Sequence, residues 1–519
     1  TCIYGVDRNP LAVELCRTAL WIESLEPGKP LAFLDPHIQC GDSLVGILDP
    51  SIMDHGIPEK AYEKLDGDVS AVCSKLKKKN KEEVENRLSS LFVGEDTGIS
   101  VSRVAETGPG YLDLPEDDLI QVREKKKRWM ESLTSPEMMR KKTESDLFVS
   151  AFFMKKTEQT FDSVPTTEDL LAARTKRSVR AKVKNAVEKT AEKYSFFHWH
   201  IAFPDIMHRG GFDVVLGNPP WERVKLQEQE FFSSRSPWIA GAPNAAERKK
   251  RIDALKKPNA PLGDRMLALA FAEALRGAEC ASSFLRTGGR FPLTGVGDVN
   301  LYALFAEAMT QLAGKGRAGF IVPSGIATDN STRAYFDFLI SKKRLESLYD
   351  FENRERIFPA VDSRQKFCLL TLAQDVPEPC FVFFATRSEH LVDERRRFTL
   401  TPEDIERINP NTRTAPIFRS NADAELTKKM YGSVPVLLDE NRGAEGNPWG
   451  ISFSAMFHMS NDSELFRTFD QLHRVGAVRD GVKWQDEDGA DWVPLYEAKM
   501  VHQYDSRWAT YEQDGRRTR

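Results

Sequence analysis

The stretch FDVVLGNPPWERV, residues 212–224, constrains the fold of this chain more than any other segment. It begins as a continuous apolar run at 214–216 and then reaches two consecutive prolines. Proline has no backbone N–H to donate to a β-ladder, so a strand that enters this motif must end there. The sequence therefore predicts a buried strand that ends in a rigid polar and aromatic turn made of Asn218, Pro219, Pro220 and Trp221.

Three other apolar runs also end at a polar residue or a turn: CIYGVD (2–7), HIQCGDSL (37–44) and GRAGFIVPSG (316–325). Such continuous runs suit strands that are covered on both faces, as in a parallel sheet. Helical patterns lie between them, and the one after Asp7 places Leu11, Leu15, Ala19 and Ile22 on one face. We expect an α/β fold built on a doubly wound sheet, with LESLYDFE (345–352) as a further strand.

Later β-rich runs, KFCLLTLAQD and PCFVFFATR, are separated by a proline-containing turn and predict an antiparallel pair. Residues 50–195 are rich in Lys and Glu and too long for a simple connection, which predicts a helical insertion. A second helical excursion covers about 225–285. The predicted organisation is a first part of the core at 1–49, the insertion at 50–195, the rest of the core at 196–390 and a partial C-terminal domain at 391–519, with short strands such as VPVLLD and WVPLYEAKM.

Polar residues stand at three of the predicted strand ends: Asp7, Asp42 and Asn218. Ligands of open parallel sheets bind outside the carboxyl ends of the strands, so these groups are expected to converge on one crevice. Asp7 is placed to accept bonds from ribose hydroxyls, or else only begins the turn before Pro10. The glycine-rich loop expected about 20 residues earlier is absent, and GKGRAG (314–319) is interpreted as a helix end and turn because it follows a helix and opens a strand.

The motif NPPW offers two fixed acceptors, the side-chain carbonyl of Asn218 and the main-chain carbonyl of Pro219, beside the ring of Trp221. This set suits a flat ring that carries an amino group. Both amino protons would bond to the two carbonyls while the indole stacks on the ring face. Holding both protons withdraws the nitrogen lone pair from ring conjugation and makes the nitrogen nucleophilic without a charged base. A turn with a packing tryptophan is the alternative.

The composition is that of an ordinary globular protein, and no run approaches the roughly 18 apolar residues of a membrane span. Seven cysteines without a C-x-x-C pair indicate reduced, buried thiols in a cytoplasm and support neither zinc nor disulfides. A net charge of −4 gives no global attraction to nucleic acid, so a DNA surface would have to be local. RTKRSVRAKVKNAVEK, residues 174–189, is the best candidate, although such a run is more often a solvated helix face.

NPPW, together with GVDRNPLAVELC and CGDSL, resembles the motifs of the adenine-specific amino-methyltransferases of DNA, and their order is similar to that of the gamma group. More narrowly, the chain resembles large restriction-modification or phage-defence methylases. The resemblance implies a Rossmann-like methyltransferase fold that uses S-adenosylmethionine, a flipped adenine in double-stranded DNA as substrate, restriction or defence subunits as partners, and a cytoplasmic, prokaryotic setting without membrane or catalytic metal.

The resemblance also implies roles for individual residues. Asp7 would bind the ribose of the cofactor, Asp42 with Ser43 its adenine, and Asn218 to Trp221 the target base. Phe358, in RIFPAVDSRQKFCLLTL, would be a second aromatic on the base, and Asp298 is a weaker pocket candidate. The tail resembles the start of a target-recognition region. Because the chain opens with Thr1 inside a strand, we expect an N-terminally truncated fragment that binds the cofactor poorly by itself.

Other classes of protein remain open. Asp491, Glu497 and Lys499 imitate the acid and E-x-K pattern of Mg-dependent nucleases on a strand. A noncatalytic DNA-recognition subunit and a glycine-loop dehydrogenase are further alternatives, although the latter does not explain NPPW. Motifs like NPPW also serve methylation of RNA or of protein glutamine. His198 and His200 alternate and are predicted to line one face of a strand rather than to bind metal.

Overall fold

The strands that the structure describes divide among four sheets. A computed structural model describes residues 2–91, 111, 114–481, 483–511 and 517–518. Parts of the predicted insertion (92–110, 112 and 113) and of the C-terminal domain (482, 512–516 and 519) lie outside the described residues. The strands are β1 (Gly5–Asp7), β2 (Ile38–Cys40), β3 (Val214–Gly217), β4 (Arg317–Val322), β5 (Leu345–Glu352), β6 (Lys366–Leu372), β7 (Cys380–Ala385), β8 (Phe398–Thr399), β9 (Val478–Asp480), β10 (Lys483–Gln485), β11 (Asp491–Trp492), β12 (Thr510–Tyr511) and β13 (Arg517–Thr518).

The main sheet has six strands in the order β3-β4-β6-β5-β7-β8, and β1 pairs with β2 in a separate parallel sheet. Pairs β3–β4 and β5–β7 are parallel, whereas β6 runs antiparallel to both β4 and β5. The α/β class is confirmed, but the sheet is mixed rather than wholly parallel. The predicted β6–β7 hairpin is wrong, because β5 inserts between these strands and pairs with each of them.

Helices cover the regions where helical patterns were predicted, including both excursions. They are α1 (Pro10–Glu23), α2 (Ser70–Leu91), α3 (Leu119–Leu133), α4 (Pro136–Phe153), α5 (Thr167–Arg174), α6 (Ala181–Tyr194), α7 (Trp199–Ala202), α8 (Pro204–His208), α9 (Glu228–Ser233), α10 (Pro237–Ala240), α11 (Ala245–Leu255), α12 (Leu262–Thr287), α13 (Leu301–Ala313), α14 (Gly325–Thr328), α15 (Arg333–Ser341), α16 (Pro402–Ile408), α17 (Asn421–Ser433) and α18 (Phe469–Arg474).

Helix α1 begins where the sequence indicates. The side chain of Asn9 accepts a hydrogen bond from the Leu11 N–H, and Pro10 occupies the first turn, where no N–H is needed. Its predicted apolar face does not pack into the core: Leu11 and Leu15 are each 71% exposed and only Val13 of this helix is buried. The helix therefore forms from local signals, without the burial that its pattern predicts.

The insertion packs around α4, in which ten consecutive residues, Glu144–Phe153, are buried. Helices α5, α6 and α12 surround it and share one apolar core with residues 44–62. A second core covers a face of the main sheet, where α13 and α15 pack. A third, smaller core holds α9 to α11 against the first half of α12. The two helical excursions thus have apolar cores of their own, and α12 contributes to both.

The chain divides into two compact units, Thr1–Gly443 and Ala444–Arg519, later than the boundary predicted at 391. The difference arises because β8 completes the main sheet and Leu400, Ile405 and Ala424 are buried in its core. VPVLLD, predicted as a strand, lies outside the strands of the structure, after α17. The second unit contains the three-stranded sheet β11-β10-β9, the β12–β13 pair and α18.

Two expectations from the composition concern membrane spans and cysteines. None of the helices among the described residues has the length and apolarity needed to cross a membrane. The cysteines are free, but they are not all buried as predicted, because Cys2, Cys16 and Cys40 are exposed.

Candidate active site

Asp7 and Asp42 lie at the carboxyl ends of the neighbouring strands β1 and β2, where Asp7 pairs in register with Cys40. Asp7 is exposed, and its Oδ1 accepts a hydrogen bond from the Asn9 N–H at 2.7 Å. Asp42 is half-buried, and its Oδ1 accepts from two backbone N–H groups of its own turn at 3.1 and 3.2 Å. Each carboxylate therefore uses one oxygen to hold its turn. Arg8 Nη1 lies 3.7 Å from the other oxygen of Asp42, Oδ2.

The turn after β2, residues 41–47, is fixed by Arg290, a residue that sequence reasoning missed. Arg290 follows α12, is 3% exposed and donates from Nη1 to the carbonyls of Leu44 (2.8 Å) and Gly46 (3.1 Å). Its Nη2 donates to the Ser43 carbonyl at 2.8 Å. Burial lowers the pKa of Arg290 to about 10, so the guanidinium stays charged near neutral pH. Arg290 thus holds three carbonyls of the turn that carries Asp42.

The segment 195–200 holds the same turn from another side. The Asp42 N–H donates to the Ser195 carbonyl at 2.8 Å, and Trp199 Nε1 donates to the Ser43 carbonyl at 3.0 Å. Residue 46 must be glycine, because a Cβ at this position would lie 1.9 Å from the Phe197 carbonyl oxygen. Asp42 and Ser43 are therefore positioned by residues about 150 positions later in the chain.

The histidines of this segment anchor it and do not line a strand, so that prediction is wrong. His198 precedes α7 and accepts the Ile47 N–H on Nδ1 at 3.1 Å, which leaves Nε2 to donate to Asp146 Oδ1 at 3.0 Å. Burial alone would raise the pKa of Asp146, but the hydrogen bonds and charges of His198 and Lys142 outweigh burial and lower it. The helical insertion is thus tied to the turn through a buried His–Asp pair.

At the end of β3 the NPPW motif presents acceptors that the protein itself does not use. Asn218 is exposed and Pro219 is buried. Within the described part of the chain, neither the Asn218 side chain nor the Pro219 carbonyl has a hydrogen-bond partner. Trp221 is half-buried against the main sheet, and its Nε1 is buried and unpaired among the described residues.

The chain that leaves the motif is held in place at once. Val224 N–H donates to the Val299 carbonyl at 3.1 Å, and Leu301 N–H donates to the Glu222 carbonyl at 2.8 Å. Asp298, the weaker pocket candidate, joins Arg223 at 2.7 Å and Lys225 at 3.0 Å. The Lys225 hydrogen bond, with Arg223 nearby, lowers the pKa of Asp298. Both carboxylate oxygens of Asp298 therefore fasten the exit of the motif.

Phe358 lies in the loop between β5 and β6, which is organised by the fully buried Asn353. Asn353 accepts the Phe358 N–H at 3.0 Å and donates to the Phe358 and Val361 carbonyls. The Phe358 ring is 37% exposed and lies edge-on to Phe367, 5.1 Å between centroids. Trp221 packs against the same cluster, which contains Phe367. The two aromatic candidates are therefore brought to one side of the sheet.

The two halves of the candidate site are joined by aromatic packing. Tyr4, just before β1, lies 5.6 Å from Phe212, just before β3, and Val6 and Val215 pack against one cluster. Next to β3, the turn after β4 is held by Asp350, which accepts from the Ser324 hydroxyl and from the Phe384 N–H. Burial raises the pKa of Asp350. The beginnings of β1 and β3 therefore lie close together. Strand β1 ends at Asp7, and β3 ends just before Asn218.

The structure also describes the two alternative sites predicted from the sequence, the basic run 174–189 and the nuclease-like pattern. In the run 174–189, the half-buried Arg174 forms ion pairs with Glu144 and Asp54. Further pairs are Arg177–Glu168, Arg180–Asp169 and Lys182–Asp162. Glu497 and Lys499 of the nuclease-like pattern pair with each other at 2.7 Å and lie in and beside a short helical turn, so the predicted strand is absent there. Among the described residues no cluster of three or more acidic, His or Cys side chains suits a metal.

Comparisons with solved structures give low overall similarity. Matches include the type I restriction-modification methyltransferase subunit from Streptococcus thermophilus (12% identity, 46% of each chain, TM-score 0.21), a nuclease-deletion mutant of the Type ISP enzyme LlaGI with a DNA substrate mimic (13%, 44% of this chain and 16% of that chain, 0.17) and a DrdV–DNA complex (12%, 48% and 22%, 0.20). The chain spans less than half the length of each of these proteins.

The family comparison is more specific. A search of curated proteins gave no match. The family model described as Eco57I restriction-modification methylase matches residues 1–252 and 290–358, which together make up more than half of the chain. Both matched stretches contain parts of the site, since the first includes Asp7, Asp42 and the NPPW motif and the second includes Arg290 and Phe358. The chain belongs to the Eco57I restriction-modification methylase family.

Proposed function

We propose that this protein is a site-specific, adenine-specific DNA methyltransferase that transfers a methyl group from S-adenosylmethionine to the exocyclic amino group of a flipped adenine. The observation that carries the proposal is the pair of unused acceptors at the end of β3, the Asn218 side chain and the Pro219 carbonyl, next to Trp221. A primary amine on a flat ring has two protons for two acceptors and a face for the indole. Family membership supports methyl transfer as the reaction.

In the proposed mechanism the chain needs no charged base. Asn218 Oδ1 and the Pro219 carbonyl would each accept a hydrogen bond from one amino N–H, which localises the nitrogen lone pair for attack on the methyl carbon. The donor's sulfonium would leave as a neutral thioether, and the methylated amine would release its extra proton to water. Pro219 and Pro220 fix the backbone angles, so the acceptors need no reorganisation during the reaction. Trp221 and Phe358 would stack on the base, and their shared contact with one apolar cluster supports this pairing.

The methyl donor would be held by the ends of β1 and β2. Asp7 and Asp42 each keep one carboxylate oxygen that is not bonded to the turn, suited to ribose hydroxyls and to an adenine amino group respectively. Ser43 follows Asp42 in the turn held by Arg290. These donors and acceptors fit S-adenosylmethionine, which would supply the activated methyl group.

At the level of the cell, we propose a role in restriction-modification or phage defence, with duplex DNA as partner, defence subunits as further partners, and the cytoplasm as location. The family description supports the first of these. Residues 391–519 would contain part of the target-recognition region, with the compact unit from Ala444 onward as its main body.

The decisive experiment measures transfer of labelled methyl groups from S-adenosylmethionine to duplex DNA by the full-length protein and by Asn218→Ala. Loss of one of the two acceptors is expected to lower the rate about 100-fold or more. Asn259→Ala is the matched control, since Asn259 is also exposed beside proline and should transfer at the wild-type rate. Label appearing at cytosine, in RNA or in protein, or an Asn218→Ala variant as fast as wild type, contradicts the proposal.

A further inference from the structure

The helical excursion after NPPW carries a local positive charge that the whole chain does not. Residues 223–265 contain ten Lys or Arg and five Asp or Glu, a net charge of +5, whereas the chain as a whole has −4. Helix α11 and the two residues after it hold much of this charge, in the sequence ERKKRIDALKK at 247–257. Positive charges on one small element repel each other, and binding of a polyanion reduces this repulsion.

Ion pairs inside the excursion neutralise only some of these cations. Arg248 pairs with Glu228, Arg251 with Glu247, and Lys256 with Asp253. Lys249, Lys250 and Lys257 are exposed, and among the described residues their side chains have no hydrogen bond or ion pair. These three lysines, which we call the α11 lysines, therefore present uncompensated charge to solvent.

The packing of α11 keeps the α11 lysines near the proposed target-base site. Ile252 and Leu255 point into the small core of the excursion, and Leu226 packs against the same core. Leu226 is only five residues after Trp221. Five residues span at most about 17 Å, which is the rise of about five base pairs along a duplex. Because α11 packs on the same core as Leu226, its exposed surface belongs to the part of the fold that duplex DNA flanking a base in the NPPW site would meet.

The basic run 174–189 does not compete equally for this role. Four of its cations are committed to ion pairs with acids of the helical insertion. Its other three cations, Lys176, Lys184 and Lys189, are exposed and have no side-chain partner among the described residues, so the two runs differ chiefly in position: only the excursion directly follows NPPW.

We infer that the α11 lysines form a contact surface for the phosphate backbone of the DNA that flanks the target base. Phosphate contacts fix the register of a protein on the duplex without reading sequence, and each one releases a condensed counterion. The surface would hold the duplex while Asn218 and its neighbours bind the extruded base. This inference rests on the proposed function.

The test measures duplex DNA affinity of the full chain over a series of salt concentrations. Each phosphate contact contributes about 0.9 to the slope of log K against log salt, so K249A/K250A/K257A is expected to reduce the slope by about 2.7. The matched control is K182A/K184A/K189A, which removes three exposed lysines from α6 and is expected to leave the slope unchanged. Circular dichroism melts confirm that both variants are folded.

An unchanged slope in K249A/K250A/K257A, or equal reductions in both triple variants, overturns the inference. Displacement of the DNA by polyglutamate more readily than by competitor DNA overturns it too, since the partner would then be an acidic protein. Failure of the proposed function has a different signature: DNA would bind with the predicted lysine dependence, while methyl transfer would not depend on Asn218.

Discussion

Arg290 illustrates how a buried charge can organise an exposed turn. A guanidinium removed from water needs hydrogen-bond partners, and here three carbonyls of residues 43–46 accept from Nη1 and Nη2, while the buried Nε has no partner among the described residues. Among the described residues, the Leu44 and Gly46 carbonyls have no other partner. The turn and the arginine therefore depend on each other.

We expect Arg290→Met to destabilise the protein by about 3 kcal/mol, because it leaves two buried carbonyls unpaired. Urea unfolding measures the stability. Titration calorimetry with S-adenosylmethionine is expected to show at least tenfold weaker binding, because the turn that carries Asp42 loses its hydrogen bonds to Arg290. Arg286→Met, an exposed arginine four residues earlier, should change neither quantity. Wild-type stability in Arg290→Met would contradict the dependence described above.

At this scale the sequence predicted Asp7, Asp42 and Asn218 because a polar residue that ends an apolar run is visible in one dimension. It could not predict Arg290 or Arg8. Arg290 lies 246 residues from Leu44, and no local pattern distinguishes it from the many surface arginines. The contact forms because the apolar core around α4, which contains residues of the turn, α12 and α13, brings Arg290 beside the turn.

Elements were predicted well where local signals suffice, as in α1, α13 and β5. The order of the strands was not predicted correctly. Because β6 and β7 are close in sequence, they were expected to pair with each other, whereas tertiary packing places β5 between them. The segment FHWH failed for another reason. Its alternation imitates a strand, but the hydrogen bonds of its histidines to Ile47 and Asp146 hold it as a bend that leads into the short helix α7.

His200 makes the stability of this segment depend on pH. Burial lowers the pKa of His200 to about 3, against about 6.5 in an unfolded chain. Between these values the unfolded state binds the proton and the folded state does not. The stability is therefore fully present above pH 6.5 and is lost as pH falls toward 3.

We expect acidification from pH 7 to pH 5 to cost wild type about 2 kcal/mol more than His200→Gln, which cannot be protonated. Urea unfolding at pH 7, 6 and 5 measures the difference. His208→Gln, which replaces an exposed histidine, should follow the wild-type pH profile. Parallel profiles of wild type and His200→Gln would show that His200 is protonated equally in both states.

For the whole molecule, the division at Gly443 predicts where the chain can be shortened. A chain ending at Gly443 keeps the main sheet and its core, so its melting temperature should stay within about 3 °C of the corresponding transition of the full chain. A chain ending at 390 loses Phe398, Leu400 and Ile405 from that core and should be less stable by at least about 5 kcal/mol. Calorimetry distinguishes the two, and equal stability of both truncations would contradict the boundary.

The hydrogen bonds from Arg290 to the turn after β2 also determine when, during translation, this turn can be fixed. Gly46 and Arg290 are 244 residues apart, and ribosomes add about 5–20 residues per second. The turn that carries Asp42 is therefore made roughly 12–50 s before the arginine that fixes it. During that interval its carbonyls lack the partner that they have in the folded protein. The proposed methyl-donor site can therefore form completely only late in translation, after the helical insertion and the NPPW strand have been made.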